Sequence, residues 1–362
     1  MNKNYYREQI SKMSETEFNL ITNRAATAIH LALTTFSSKG VFLVPSNICI
    51  SPIMAGRIAN YEIKFIGTDL FQLDLMEVVK HLESDRNVKA ILLPELYGYP
   101  VAKLGFFWNY IKNKDILIIE DLAQSLGKSR ISHFRGTPTI ATIYSFGPTK
   151  IVDSIRCGVI STNNESFYQD LKNQLALLET NSPTLFAETS TQYSNMYSEL
   201  LRKDEADRDW PQFYTAASRL NSVLYTPRFD LEIGADGFNF DEKSIIQTRN
   251  ERHSRLLEML RGFDQVTLPP DIELQHPVWR TTIRIDQKVR DVVVGELRCG
   301  NNPVSTWYKA MHRMFQSYQD ASTPSLDEAV IFEAEVINFF LDMPNFDQYF
   351  ENVRFVLTER LG

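Results

Sequence analysis

Residues 116–127, ILIIEDLAQSLG, and 144–150, YSFGPTK, decide how the chain is read. Ile116, Leu117, Ile118 and Ile119 form an apolar run rich in β-branched residues, the composition of a strand buried on both faces of a parallel sheet. Glu120 and Asp121 sit at its carboxyl end, and in open α/β sheets ligands bind outside the carboxyl ends of the strands. A second strand, expected over 139–146, delivers Ser145 and then a Gly-Pro-Thr turn that ends at Lys150. Two neighbouring strand ends would thereby place a carboxylate and an amine in one crevice.

Those residue types suit pyridoxal phosphate chemistry. A lysine forms the Schiff base, and an acid keeps the pyridine nitrogen protonated so that the ring acts as an electron sink. Lys150 and Asp121 would fill these roles. A carboxylate about 4 Å from a pyridinium, at an effective dielectric near 20, gains roughly 4 kcal/mol as an upper figure. Taken singly, a lysine after a turn is an exposed side chain and an acid closing a strand is a helix cap. The case rests on several residues at one spacing.

The segment EDLAQSLG (120–127) resembles the Glu-Asp-Ala-Ala-Gln-Ala-His-Gly segment of the DegT/StrS-type sugar aminotransferases, and YSFGPTK (144–150) resembles their Ser-Phe-x-x-x-Lys segment. Lys150 lies 29 residues after Asp121, which agrees with the family spacing. The resemblance implies an α/β chain of the fold type I class, with a mostly parallel sheet between helices in a large pyridoxal-phosphate-binding domain (1–240) and a small C-terminal α+β domain (241–362). It implies that Asp121 contacts the pyridine nitrogen, that Gln124 lies by the ring hydroxyl, that Ser145 binds the phosphate and that Lys150 carries the cofactor. It also implies a homodimer with active sites at the interface. Relatives that dehydrate sugars carry His in place of this lysine, so Lys150 favours transamination.

Length and composition agree with that picture. At 362 residues the chain is long enough for one large domain plus a smaller one, and 43% apolar and 23% charged residues are ordinary for a soluble globular protein. The net charge of −7 argues against nucleic acid or an anionic membrane as the main partner. Cys49, Cys157 and Cys299 are widely spaced and form no CxxC pair, so neither a disulfide framework nor a zinc site is expected. The polar start, MNKNYYREQISKMSETEF, lacks the apolar core of a signal peptide, and the expected location is the cytoplasm. No Walker loop, GxGxxG fingerprint, HExxH helix or internal repeat is present.

Along the chain, residues 19–36 read as a helix. By alignment through AIHLAL (28–33), Ala25 and Ala26 stand where the family has a Gly-Thr pair whose amides hold the cofactor phosphate. Strands at 41–46, 61–69 and 88–96 then alternate with helices at 50–60, 74–85 and 101–113, the pattern of βαβ units on a parallel sheet. Pro45-Ser46 and Leu96-Tyr97-Gly98-x-Pro100 fall on family landmarks. Cys49 stands where an aromatic ring usually stacks on the cofactor, a loss worth about 0.5–1.5 kcal/mol. Gly67 replaces an acid, and Arg156 and Cys157 replace an acid and a glycine in a segment after Lys150.

From 165 to 240 the resemblance fades into helical stretches and a polar run, RKDEADRDWPQ, read as an exposed loop. A long amphipathic helix is expected over 241–263, then a strand at 279–286, a helix at 290–299, a strand end at Trp307-Tyr308, and helices at 326–343 and 346–361. PVSTWYKAMHRMF (303–315) is faintly similar to the family's Tyr-x-x-Leu-His segment, which makes His312 a candidate pocket residue. By resemblance the amino acceptor is a nucleotide-linked keto-sugar and the donor glutamate. Arg156, Arg228 and Arg280 are the cations that could meet its anionic groups. The departures at Ala25, Ala26, Cys49, Gly67, Arg156 and Cys157 motivate a second reading, a non-catalytic relative that kept the fold as a binding or regulatory protein. An aminotransferase for a non-sugar substrate stands as a third.

Overall fold

The structure, a computed structural model, describes residues 3–69, 71–153, 157–203, 207–228, 240–271, 277–315 and 323–362. Strands β1 (Phe18–Thr22), β2 (Val41–Pro45) and β3 (Glu62–Ile66) are followed by a small hairpin of β4 (Thr68–Asp69) and β5 (Gln72–Leu73). Next come β6 (Val88–Pro94), β7 (Leu117–Leu122), β8 (Thr139–Ser145) and β9 (Gly158–Thr162). Without the hairpin they form one seven-stranded sheet in the order β1-β9-β8-β7-β6-β2-β3. The β3-β2-β6-β7-β8 run is parallel, and β9 is antiparallel to both its neighbours. The expected α/β class with a mostly parallel sheet is the observed one.

The pleat explains why the central strand is apolar on both sides. Leu117 and Ile119 join the cluster that includes Ala28 and Ile29 of the Ala25–Thr35 helix, whereas Ile116 and Ile118 pack with Val78, Val79, Phe107 and Trp108 of the crossover helices on the other face. Asp74 starts one of those helices, Leu75–Ser84, by accepting from the amides of Met76 at 2.8 Å and Glu77 at 3.2 Å.

A second, antiparallel sheet comes from the last third of the chain: β10 (Arg280–Arg284), β11 (Val304–Ser305) and β12 (Val336–Phe340), ordered β10-β12-β11. Its Ile283 and Phe339 belong to the same buried cluster as Phe42 and Ile119, so the two sheets share a core. Gly98, at φ +88°, sits in the turn after β6 where the residues just before β10 pack against it. A Cβ there would lie 2.6 Å from the Trp279 nitrogen and 2.7 Å from the Pro277 oxygen, and the Trp279 amide donates to the Tyr97 carbonyl at 2.9 Å.

Several expectations are corrected. The helix read over 19–36 is two elements, the edge strand β1 and a helix that starts at Ala25. The buried polar side chains of β1 explain the misreading, because Asn19 accepts from Ser161 Oγ across the ladder, a tertiary partner that periodicity cannot show. The helix read over 326–343 stops at Glu335, and Val336–Phe340 forms the central strand of the small sheet. A short apolar run of this kind cannot be told from buried helix by periodicity alone. In the polar run RKDEADRDWPQ, a helix begins at Trp210, with Asp209 accepting from the Gln212 amide, while residues 204–206 lie outside the described residues. Glu120 and Asp121 do sit at the carboxyl end of β7, inside the strand, where successive side chains point to opposite faces.

Candidate active site

Strand register brings the site together. In the β7–β8 ladder Asp121 pairs with Ile143 and Leu122 with Tyr144, so Ser145 lies at the next position along β8, at the carboxyl end of both strands. Ser145 in turn pairs with Gly158 of β9. A Cβ on Gly158 would lie 2.3–2.5 Å from the Arg24 carbonyl and the Ala25 nitrogen, so only glycine lets the start of the Ala25–Thr35 helix reach the sheet here. The seryl hydroxyl and the first amides of that helix therefore border one cradle. Arg24 caps the helix without a side-chain hydrogen bond to its amides, and no acid occupies its first turn.

Asp121 is buried and accepts from the Ala123 amide at 2.9 Å. Burial pushes its pKa up, opposed by that bond and by the Lys150 ammonium. Lys150 ends the turn after β8, where its amide donates to the Gly147 carbonyl at 3.2 Å. Its stem is partly exposed while its amine is desolvated, which pushes its pKa down, with Asp121 pulling the other way. The amine stands 5.7 Å from the centroid of the Trp279 indole. Trp279 Nε1 donates to the Thr149 carbonyl at 2.7 Å, so the small sheet holds the lysine turn directly. Cys49, which caps the Ile50–Ile58 helix, lies in the same electrostatic neighbourhood; burial raises its thiol pKa while Lys150 lowers it.

Gln124 is buried with both ends of its amide engaged. Oε1 accepts from the Tyr97 amide at 2.6 Å and Nε2 donates to the Tyr308 hydroxyl. One donor and one lone pair remain on it. Tyr97 also donates to the Trp307 carbonyl at 2.8 Å and accepts from the Tyr308 amide at 3.1 Å. An aromatic wall results, with Tyr97 stacked on Tyr308, Tyr308 on Trp307 and Trp307 on Trp279.

The four candidate substrate residues separate. Arg280 is 3% exposed, with its guanidinium carbon 3.7 Å from the Phe340 ring centroid and 4.0 Å from that of Trp279, and it donates to Ser305 Oγ. Burial pushes its pKa down to about 10. It stays close enough to Lys150 to act on that amine's charge. Arg228 is spent elsewhere: its Nη1 donates to the carbonyls of Ala176 and Leu178 at 2.7 and 2.8 Å, closing the end of the Glu165–Leu177 helix. The His312 ring shares a 2.7 Å hydrogen bond with Ser46 Oγ, and burial favours its neutral form, so its bond joins the β2 loop to the Met311–Met314 turn. Arg156 lies outside the described residues.

Sequence reading missed Arg24, Gly158, Trp279 and Tyr308. Gly158 had a signal, a glycine at a strand start directly after Cys157. Trp279 and Tyr308 come from the last third of the chain, and nothing local in the sequence says that they meet Lys150 and Gln124 respectively. A cavity of about 650 Å³ between Met54, Arg57, Tyr214 and Phe315 contains none of the site residues. Among the described residues no group of three metal-ligating side chains occurs, and no helix is long and apolar enough to cross a membrane.

This geometry has relatives. Among solved structures, S. venezuelae DesV in complex with a ketimine intermediate is 18% identical, with a TM-score of 0.70 over 97% of this chain and 88% of that one. The sugar aminotransferase CalS13 from Micromonospora echinospora is 15% identical, with a TM-score of 0.70 over 98% of this chain and 91% of that one. Among curated proteins, GDP-perosamine synthase of Escherichia coli O157:H7 is 21% identical over 167 residues, a match that spans 45% of this chain and 45% of that protein. The profile of the DegT/DnrJ/EryC1/StrS aminotransferase family matches residues 2–185, half of the chain and the half that holds Ala25, Asp121, Ser145 and Lys150. The chain belongs to the DegT/DnrJ/EryC1/StrS aminotransferase family.

Proposed function

We propose that this protein is a pyridoxal-phosphate-dependent aminotransferase that moves an amino group from glutamate to a keto group on a nucleotide-linked sugar. One observation carries the reading: Asp121, Ser145, Lys150 and the open start of the Ala25–Thr35 helix converge at the carboxyl ends of β7 and β8, with Gly158 leaving room for the helix. The donor set fits the cofactor. Asp121 would hold the pyridine nitrogen, the Ser145 hydroxyl and the helix amides the phosphate, and Lys150 the aldehyde carbon. When bound, the cofactor supplies an electrophilic carbon and a ring that spreads developing negative charge.

The chain's own residues do the rest. Lys150, with its pKa lowered by burial, keeps a larger share of neutral amine at a given pH, and so can attack a carbonyl and carry a proton between neighbouring carbons. Proton transfer of this kind is worth about 10²–10⁴-fold in rate. Asp121, fixed by the Ala123 amide, keeps its charge aimed at one place through the reaction. Gln124, locked between Tyr97 and Tyr308, presents its remaining donor without reorganising. Arg280 is the cation best placed for an anionic group of the substrate.

Family membership and relatives named as sugar aminotransferases support the substrate class. The test is a panel of nucleotide-linked keto-sugars with glutamate, on protein reconstituted with pyridoxal phosphate. Its visible absorption band should bleach with glutamate and return with the right acceptor. Lys150→Ala should lose the band's covalent character and all turnover. Turnover only with a free keto acid would remove the sugar assignment and keep the aminotransferase. A folded chain that cannot take up pyridoxal phosphate would favour the binding-protein reading.

A further inference from the structure

We propose that Arg24 is a phosphate-binding residue of this site, meeting the cofactor's phosphate beside Ser145 and the Ala25 and Ala26 amides. The inference rests on the pyridoxal phosphate reading above and adds a residue to it.

The first argument is charge. Arg24 and Arg280 both bear on the Lys150 amine, and of the two arginines Arg280 has Asp342 as an opposing acid. Among the described residues neither Arg24 nor Lys150 forms an ion pair with a carboxylate, and Asp121 is the one carboxylate that acts on Lys150, beside the Cys49 thiol. The Cys49 thiol adds no compensating anion, because burial holds it protonated. Half-buried and buried cations without a counter-ion are costly, so a pocket with this balance is completed by an anion.

The second argument is position. Arg24 precedes the first turn of the Ala25–Thr35 helix, where the positive end of the helix dipole disfavours a cation and favours an anion. An arginine is tolerable there if it and the helix amides address the same negative group. The Arg24 carbonyl accepts from the Ala28 amide at 3.1 Å, which fixes the residue as the helix start, and Gly158 packs against that carbonyl while pairing with Ser145.

The third argument is the posture of the side chain. Nη1 donates to the Leu224 carbonyl at 2.6 Å, and the guanidinium lies 5.6 Å from the Phe186 ring centroid. Two anchors from the segment around 183–225 leave the remaining guanidinium donors free among the described residues, and hold them in one orientation. An arginine pre-ordered in this way binds an oxyanion without losing its rotamer freedom at that moment. It also supplies the charge-assisted contact that the side chains of Ala25 and Ala26 cannot.

The assignment is tested on the full chain by titrating cofactor-free protein with pyridoxal phosphate and with pyridoxal, which lacks the phosphate, following absorbance. In Arg24→Gln, affinity for pyridoxal phosphate should fall by about 10–100-fold while affinity for pyridoxal stays within about twofold, and Arg24→Lys should recover most of the loss. Inorganic phosphate should compete with pyridoxal phosphate in the wild type, and it should promote pyridoxal uptake less in Arg24→Gln. Equal losses for both ligands, with a lower melting temperature, would assign Arg24 to the Leu224 contact alone and overturn the proposal. So would an unchanged pyridoxal phosphate affinity in Arg24→Gln when the wild type binds the cofactor. A wild type that takes up neither ligand overturns the cofactor reading and this assignment with it. If Arg24→Gln does not fold, Arg24→Lys and the phosphate competition decide, and a wild type indifferent to inorganic phosphate rejects the role.

Discussion

Glu120 and Asp121 are adjacent carboxylates on one buried strand, and the pleat gives them opposite fates. Glu120 turns away from Lys150 and is satisfied by the protein: Ser129 Oγ donates at 2.5 Å, Thr142 Oγ1 at 2.7 Å and the Arg130 amide at 2.7 Å. Beside it, Arg130 pairs with buried Glu95 at 3.3 Å. Asp121 has the Ala123 amide as its hydrogen-bond donor among the described residues, and faces the amine. The difference is what would separate a structural acid from one free to meet a ligand. Both are buried, and both pKa values are pushed up by burial, but one is saturated with donors and the other keeps capacity for a ligand.

Exchanging the charges one at a time should break the comparison cleanly. Asp121→Asn should cost about 10²–10³-fold in kcat with little change in melting temperature, because it removes the charge that biases the ring nitrogen and leaves the fold's hydrogen bonds in place. Steady-state kinetics beside a thermal melt reads this; a large loss of stability with activity preserved would reverse the two roles.

Glu120→Gln should do the opposite, leaving turnover within about threefold while changing how stability depends on pH. Burial raises the Glu120 pKa from 4.5 to about 7. A folded value above the unfolded one means that the stabilisation is fully present below pH 4.5 and is lost as pH rises toward 7. The loss is about 3 kcal/mol as an order of magnitude. Denaturant unfolding at pH 5 and at pH 8 should show the wild type losing that increment and Glu120→Gln losing much less of it.

The two arginines sharpen the same contrast at lower cost. Arg280→Gln should raise KM for the anionic acceptor by about tenfold, since its guanidinium is the buried cation near Lys150. Arg228→Gln should leave KM unchanged and cost about 0.5–1 kcal/mol of stability through the lost helix-end bonds to Ala176 and Leu178. Equal KM effects in both would return Arg228 to the substrate site.

How much of this was legible follows from how local each signal was. The β7 and β8 strands, Asp121, Ser145 and Lys150 could be read because apolar runs, a turn dipeptide and a fixed separation all lie within 35 residues. Helices such as Ile50–Ile58 and Glu242–Leu260 could be read from periodicity and caps, Asp241 accepting from the Ser244 amide at 3.1 Å in the second. Val336–Phe340 was read as helix because its strand character comes from pairing with β10 and β11, more than 30 residues away.

The sequence alone determined the fold class and singled out Lys150 and Asp121 as candidates, because buried strands and strand-end residues leave a mark in the order of the chain. It could not determine which cations matter. Arg24, Arg228 and Arg280 are the same residue type, and only packing decides that one closes a helix end, one sits among Trp279, Trp307 and Phe340, and one stands at the start of the Ala25–Thr35 helix. A charge takes its role from what surrounds it, and those surroundings come from segments far apart in sequence.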